Sequence, residues 1–306
     1  MNTKYVTVIG GVNVDIVGFP NSPLVAQDSN PGTIRVSFGG VGRNIAENIV
    51  KLGVPTKLLS AIGDDVFGQQ VLAQAQVSGL DMNDTLVVTG YPTSSYLAVL
   101  DEKRDMHVAI SAMEILESLN VDFFAKKRPL IEKAKACVLD TNISREVIEY
   151  LLTEYRQTDF FLDTVSTTKA MKVKDLIGLF HTIKPNKIEA EMLSGLKIAN
   201  KKDLLACGEY FLSKGVKQVF ISLGKDGLYY TNGLDSGYIS AHSIHVVNAT
   251  GAGDAFIAAL VYGFYQEYSI DYCARFAMAA SALALSHENT INPNMSVANV
   301  KLLMEE

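Results

Sequence analysis

The run Asn248-Ala249-Thr250-Gly251-Ala252-Gly253-Asp254-Ala255-Phe256 places two glycines and a carboxylate just ahead of a helical apolar period at Phe256, Leu260 and Phe264. Gly251 and Gly253 let the backbone bend tightly and approach a ligand with no Cβ in the way. The first N–H groups of a helix have no intrahelical partners, and the helix dipole adds positive potential there. Such a turn suits an anion, above all a phosphoryl group. Asp254 beside it could take the proton of an attacking hydroxyl. It could equally be no more than the helix cap, a place Asp favours. Composition leaves both readings open.

A second cluster, Phe38-Gly39-Gly40-Val41-Gly42-Arg43-Asn44, also runs into a helical period. It is not the dinucleotide fingerprint, because Ile45 stands where the third glycine should fall. Gly39 and Gly40 would admit a polyhydroxyl ligand close to the backbone, and Asn44 offers both a donor and an acceptor. A plain strand-to-helix turn capped by Asn44 fits as well, and Arg43 reads as a surface charge. Asn13 and Asp15, two residues apart, share one face of an extended chain. An ionised Asp15 could accept hydrogen bonds from paired hydroxyls, with ordinary turn chemistry as the alternative.

Later in the chain, Glu189 follows Asn186 by three residues and could hold water on a bound Mg²⁺. Ser222-Leu223-Gly224-Lys225-Asp226-Gly227 is not a Walker loop, since Asp226 follows its Gly-Lys. Either run could simply start a helix or turn a hairpin. Asp64-Asp65 reads as a cap ahead of the helix that carries Phe67. The five histidines show no metal-ligand spacing and are read as structural.

These residues need elements to hold them. Tyr5–Ile9, Leu58–Ile62, Cys137–Leu139, Phe160–Leu162 and Gln218–Leu223 are short apolar runs that read as strands. Between them Phe67, Val71 and Ala75 repeat at helical spacing before Gly79, and Ile45, Ile49 and Leu52 do so before Gly53. Continuous apolar strands alternating with amphipathic helices imply an α/β fold, a parallel sheet covered on both faces. Residues from about 12–37 and 90–110 break the rhythm. The second reads as a hairpin, Ser94–Leu100 and Met106–Ile110 about a polar tip, Asp101–Asp105. The expectation is one domain spanning 1–306, with a β-lid from these two segments; an edge extension without function is the alternative.

The 306 residues are 48% hydrophobic and 20% charged, enough for a sizeable core and far from the composition of disorder. A net charge of −6 without a basic block argues against nucleic acid as a partner. No apolar run reaches the roughly 18 residues of a membrane span; Cys273–Leu285 is interrupted by Arg275. Residues 1–11 carry no secretory signal pattern. Cys137, Cys207 and Cys273 form neither a disulfide framework nor a metal cluster, so the chain reads as soluble and cytoplasmic.

Taken in order, these pieces resemble the ribokinase-like carbohydrate kinases, the phosphofructokinase B family, from Gly10 to Ser296. The most specific part is Thr250-Gly251-Ala252-Gly253-Asp254, supported by Gly39-Gly40 with Asn44 and by Asn186-x-x-Glu189. The resemblance implies a ribokinase-like three-layer fold, with a mostly parallel central sheet and a small β-lid over the sugar. It implies ATP as phosphoryl donor, Asp254 as catalytic base, and Gly251, Ala252 and Gly253 as the anion hole. Asn13, Asp15, Gly39, Gly40 and Asn44 would hold sugar hydroxyls, with Ser95 and Asn142 candidates for contacting a base. Asn186, Ser222, Gly224, Gly227 and Thr250 would line the ATP side, and Glu189 would organise Mg²⁺.

Within the family, Asp28-Ser29-Asn30-Pro31-Gly32, Thr93–Leu97, Asn142-Ile143-Ser144 and Leu162-Asp163-Thr164-Val165-Ser166 with Lys169 resemble the branch that acts on pseudouridine. The implied reaction is phosphorylation of the 5′-hydroxyl of a ribosyl compound, that nucleoside first. Ribose, fructose or a conventional nucleoside are alternatives, as is a catalytically silent binding regulator, against which the intact Asp254 and its glycines speak. Asn248 stands where most sugar kinases of the family carry Asp, which leaves a monovalent-cation requirement open. Ser111-Ala112-Met113 stands in place of an expected Asn-Asp-Met. Exposed lid edges would invite pairing, so a homodimer through the lids is expected.

Overall fold

In the computed structural model, which describes residues 4–305, the apolar runs become strands buried on both sides. In chain order the strands are β1 (Val6–Ile9), β2 (Asn13–Pro20), β3 (Gly32–Gly39), β4 (Thr56–Leu59), β5 (Ala61–Gly63), β6 (Leu86–Val88), β7 (Ser95–Leu100), β8 (Met106–Ala112), β9 (Ala136–Asp140), β10 (Phe160–Asp163), β11 (Thr182–Ile183), β12 (Gln218–Ser222), β13 (Leu228–Thr231) and β14 (Ser236–Ile239). Eight of them form the main sheet, in the order β14-β13-β12-β11-β10-β9-β1-β4. From β12 to β4 all neighbours are parallel, and β13 and β14 add an antiparallel edge.

The helices are α1 (Val41–Lys51), α2 (Val66–Ser78), α3 (Val121–Lys126), α4 (Arg128–Glu132), α5 (Arg145–Glu154), α6 (Thr167–Ala170), α7 (Lys187–Ser194), α8 (Lys201–Lys214), α9 (Ala252–Tyr265), α10 (Ile270–Leu285) and α11 (Val297–Glu305). Successive strand residues point to opposite faces, which sorts the core into two halves. Val8, Val138, Phe161 and Phe220 pack with α1, α2 and α9 to α11. Ile9, Leu139, Leu162 and Ile221 pack with α3 to α8. This three-layer arrangement explains the near-continuous apolar runs, because a parallel sheet covered on both faces exposes neither side to water.

A second sheet, ordered β3-β2-β7-β8, is drawn from the two segments that lack the strand–helix rhythm. It is mixed: β2 pairs antiparallel with β3 and parallel with β7, while β7 and β8 make the hairpin. One face leaves Ile34, Val36, Leu97, Val108 and Ile110 exposed. The strand expected over Leu58–Ile62 is instead split at Ser60, whose carbonyl accepts from the Leu86 N–H as β5 leaves the main sheet to pair with β6.

β1 lies between β9 and β4, so the connections that follow it diverge to either side. In open α/β sheets the crevice for ligands lies outside the carboxyl ends of the strands at such a switch point. Gly10-Gly11, Thr141-Asn142 and Thr164-Val165 occupy those ends here. No helix among the described residues is long and apolar enough to cross a membrane. Cys137, Cys207 and Cys273 are buried and unpaired.

Candidate active site

Glycine makes the approach of α1 to the sheet possible. Gly40 has φ +98, and a Cβ there would lie 2.4 Å from the Gly11 carbonyl oxygen. One turn into α1, the Asn44 side chain donates from Nδ2 to Asp254 Oδ2 at 2.8 Å. Its Oδ1 is buried and accepts nothing from the protein, an unmet acceptor that a ligand hydroxyl could satisfy. Asp140, fully buried at the end of β9, accepts from the Gly11 and Asn142 N–H groups, both at 2.8 Å. That carboxylate ties the loop after β1 to the loop after β9.

Gly251, in left-handed backbone at φ +86, takes the N-cap of α9. The helix therefore begins at Ala252, and Asp254 lies within its first turn without capping it. Burial pushes the Asp254 carboxyl up to about 7; Asp163 adds to the rise, while the Asn44 bond and the Lys184 ammonium oppose it. A carboxylate poised near neutrality suits general-base work. Asp15 is also raised, chiefly by burial, with the Asn13 Nδ2 bond at 2.6 Å and the Arg43 charge pulling it back.

Arg43 is not the surface charge expected. It is buried, donating to the Phe38 carbonyl at 2.8 Å and to Glu47 Oε2 at 2.6 Å. The partner four residues on explains how a guanidinium can be enclosed there.

Two cavities meet at the start of α9. The smaller, about 310 Å³, is lined by Asn13, Asp15, Gly40, Asn44 and Asn142, with Gly251 and Asp254. The larger, about 760 Å³, is lined by Asn186, Ser222, Gly224 and Gly227, with Ala252 and Gly253. The glycine turn thus separates the smaller pocket from the larger cleft, and the Asp254 carboxylate lines the pocket.

Residues 3–297 match the pfkB family of carbohydrate kinases. The chain belongs to that family. Its members' reaction makes it a phosphotransferase with an alcohol acceptor, on a ribokinase-like α/β fold. It is 40% identical to the pseudouridine kinase of Escherichia coli (strain K12) over 98% of this chain and 96% of that protein. It is 28% identical to the guanosine-inosine kinase of Exiguobacterium acetylicum over 95% and 97% of the two chains. The structure of Arabidopsis thaliana ribokinase complexed with ribose and ATP superposes with a TM-score of 0.82, at 22% identity and 99% coverage of each chain.

Several positions of this pfkB-family site differ from expectation. Thr250, expected on the ATP side, lines the smaller pocket and not the larger cleft with Asn186 and Ser222, because the left-handed Gly251 turns the chain between Thr250 and Ala252. Gly39 does not line the pocket; a Cβ there would meet Asp15 Oδ2 at 2.2 Å, so its bareness makes room for that carboxylate. Ser95 is also off the pocket wall, and the next residue along β7, Tyr96, lines it instead, as strand alternation requires. Asn142 is in place, but its Oδ1 already accepts from Lys169 Nζ at 2.6 Å.

Glu189 lines neither cavity. Its Oε2 accepts from the Asn186 N–H at 2.9 Å and the Thr164 hydroxyl at 2.7 Å, closing a capping box on α7. No group of three or more His, Cys, Asp or Glu among the described residues could hold a metal ion by itself. Held in that cap and away from both cavities, Glu189 could act on a Mg²⁺ only through water, with phosphate supplying most of the ligands. His242, read as structural, lines the larger cleft with Lys184. Val165, Lys169 and Met113 of the smaller pocket lie in runs compared with the family above but not singled out as site residues, and Thr290 carries no motif signal.

Proposed function

We propose that this chain transfers the γ-phosphoryl of ATP to the 5′-hydroxyl of pseudouridine. The observation that carries the reading is the position of Asp254: buried, held by Asn44, and facing the small pocket where the two cavities meet. The nucleoside would occupy that pocket, with Asn13, Asp15, Gly40 and Asn44 about its ribose. ATP would occupy the cleft, against Asn186, Ser222, Gly224 and Gly227.

Asp254 would then accept the hydroxyl proton as oxygen attacks phosphorus, while the N–H groups at Gly251–Gly253 face the charge that develops on the phosphoryl oxygens. Mg²⁺, organised through water by Glu189, would neutralise phosphate charge. The sheet of β2, β3, β7 and β8 would act as a lid on a single kinase domain, excluding the water that competes as acceptor. The apolar outer face of that sheet supports a homodimer joined through the lids. Sedimentation that finds only monomer at working concentration would remove the dimer.

The test of substrate is an ADP-release assay across pseudouridine, uridine, adenosine, ribose and fructose. Pseudouridine exposes a second ring N–H where uridine has carbon, and a buried acceptor paired with it would be left empty by uridine. The expected kcat/KM for pseudouridine is at least about tenfold above uridine, roughly 1.4 kcal/mol. Equal rates, or a preference for a free sugar, would exclude the pseudouridine assignment and leave the kinase standing.

A further inference from the structure

Val165 is a branched residue in left-handed backbone, at φ +58, where branched side chains are genuine outliers. The other non-glycine residues with positive φ among the described residues, Gln27, Arg104 and Glu267, are unbranched and exposed. Val165 instead lines the smaller pocket. Backbone strain of this kind survives only where the surroundings over-determine it, and it gathers at ligand sites.

Four hydrogen bonds impose the turn. The Val165 N–H donates to Asp163 Oδ1 at 2.7 Å and the Ser166 N–H to the Thr164 carbonyl at 2.5 Å. The Thr141 hydroxyl reaches the same carbonyl at 2.7 Å, and the Thr164 hydroxyl reaches Glu189 at 2.7 Å. Those partners come from the ends of β9 and β10 and from α7. The turn also leads into α6, which carries Lys169 to its bond with Asn142.

The pocket accordingly gathers apolar groups from Val165, Met113 and Leu116 beside the polar pair Asn142 and Lys169. That combination suits a planar heterocycle with polar edges. A free pentose, with oxygen on every carbon, gains little from the apolar part. We propose that Val165 is a specificity-determining residue that packs against the heterocycle and so favours nucleosides over free pentoses, an inference that rests on the nucleoside-kinase reading above.

The test compares Val165→Gly and Val165→Ala with the unaltered protein, reading kcat/KM for pseudouridine and for ribose, KM for ATP, and thermal midpoint. Glycine adopts positive φ without penalty, so Val165→Gly is expected to raise the midpoint by roughly 1–3 °C. In the same variant the pseudouridine-to-ribose ratio is expected to fall about tenfold or more, the scale of lost apolar contact in a pocket. Val165→Ala should lower the ratio similarly with no gain in midpoint, since its Cβ keeps the strain. KM for ATP should stay within about twofold in both. A ratio within twofold of the unaltered protein in both variants overturns the proposal while the nucleoside reading stands. An unaltered protein that prefers ribose sinks that reading first, and this proposal with it.

Discussion

The two cavities on either side of the α9 turn share glycine as a building device but differ in what surrounds it. A Cβ at Gly227 of the cleft would lie 2.0 Å from the Ile239 carbonyl oxygen, and around the smaller cavity backbone meets backbone and carboxylate just as closely. A Cβ at Gly10 would lie 2.3 Å from Asp140 Oδ2, and one at Gly42 would lie 2.8 Å from Gly10 Cα. Its polar groups are mutually bonded: Asn44–Asp254 is a buried pair, and Asn13–Asp15 and Lys169–Asn142 are part-buried. The larger cleft is walled by Phe256, Met278 and Leu285 of α9 and α10 and by the partly exposed stretch around His242 and Val246. A buried polar atom left unmatched rejects an ill-fitting ligand strongly, and the unmet Asn44 Oδ1 is such an atom in the small pocket. Selectivity in this kinase is therefore expected on the side of the small pocket, with the cleft tolerant by comparison.

The largest effect should come from the carboxylate beside the turn that divides the two cavities. Asp254→Asn keeps the size and the bond to Asn44 but cannot accept a proton. Its expected loss in kcat is on the order of 10²–10⁴, the contribution of a positioned general base. In the unaltered protein kcat/KM should fall about tenfold per pH unit below about 7, as the raised carboxyl takes up its proton. Stability should move the other way. A carboxyl raised in the folded state binds a proton that the unfolded chain has already released, so stability is lost as pH rises from the ordinary carboxylate range to about 7. Asp254→Asn lacks that loss and should gain in thermal midpoint relative to the unaltered protein at pH 8, with the gain vanishing near pH 4. A variant that retains most of its turnover would reduce Asp254 to a structural residue.

The elements that hold Asp254 were far more legible than the pocket it faces. Val6–Ile9, Ala136–Asp140 and Phe160–Asp163 stand out as apolar runs because both faces of the main sheet are covered. The split at Ser60 leaves no such trace, since β4 and β5 are both buried and only the pairing of β5 with β6 separates them. Asn44, Gly251 and Asp254 were found because glycines and polar groups sit together in sequence before a helix. Tyr96 lies in the run Thr93–Leu97, and Val165 and Lys169 follow β10 four residues apart; both runs resemble the family, yet only the fold shows that these side chains meet in one cavity. Arg43 was misread although Glu47, four residues on, was a visible partner for it. His242 lies in a stretch without strand or helix, where no periodicity points to either a core or a site.

A smaller effect separates the two cavities from each other. Asp15 lines the small pocket and not the cleft, so its loss should be felt by one substrate only. Hydrogen bonds to a charged group contribute about 1.5–3 kcal/mol each. Asp15→Ala should accordingly raise KM for the nucleoside by roughly 10–100-fold. KM for ATP should change by no more than about twofold. The variant also frees Asn13 Nδ2, which now donates to Asp15, and Asn13 lies in the pocket where water can take over that bond. Asp15→Asn keeps an acceptor oxygen but loses the charge, and should fall between the two. Equal increases in both KM values would mean that the pocket and the cleft are one mechanical unit, joined through the shared turn at Gly251, and that the division of labour between a selective pocket and a tolerant cleft is false.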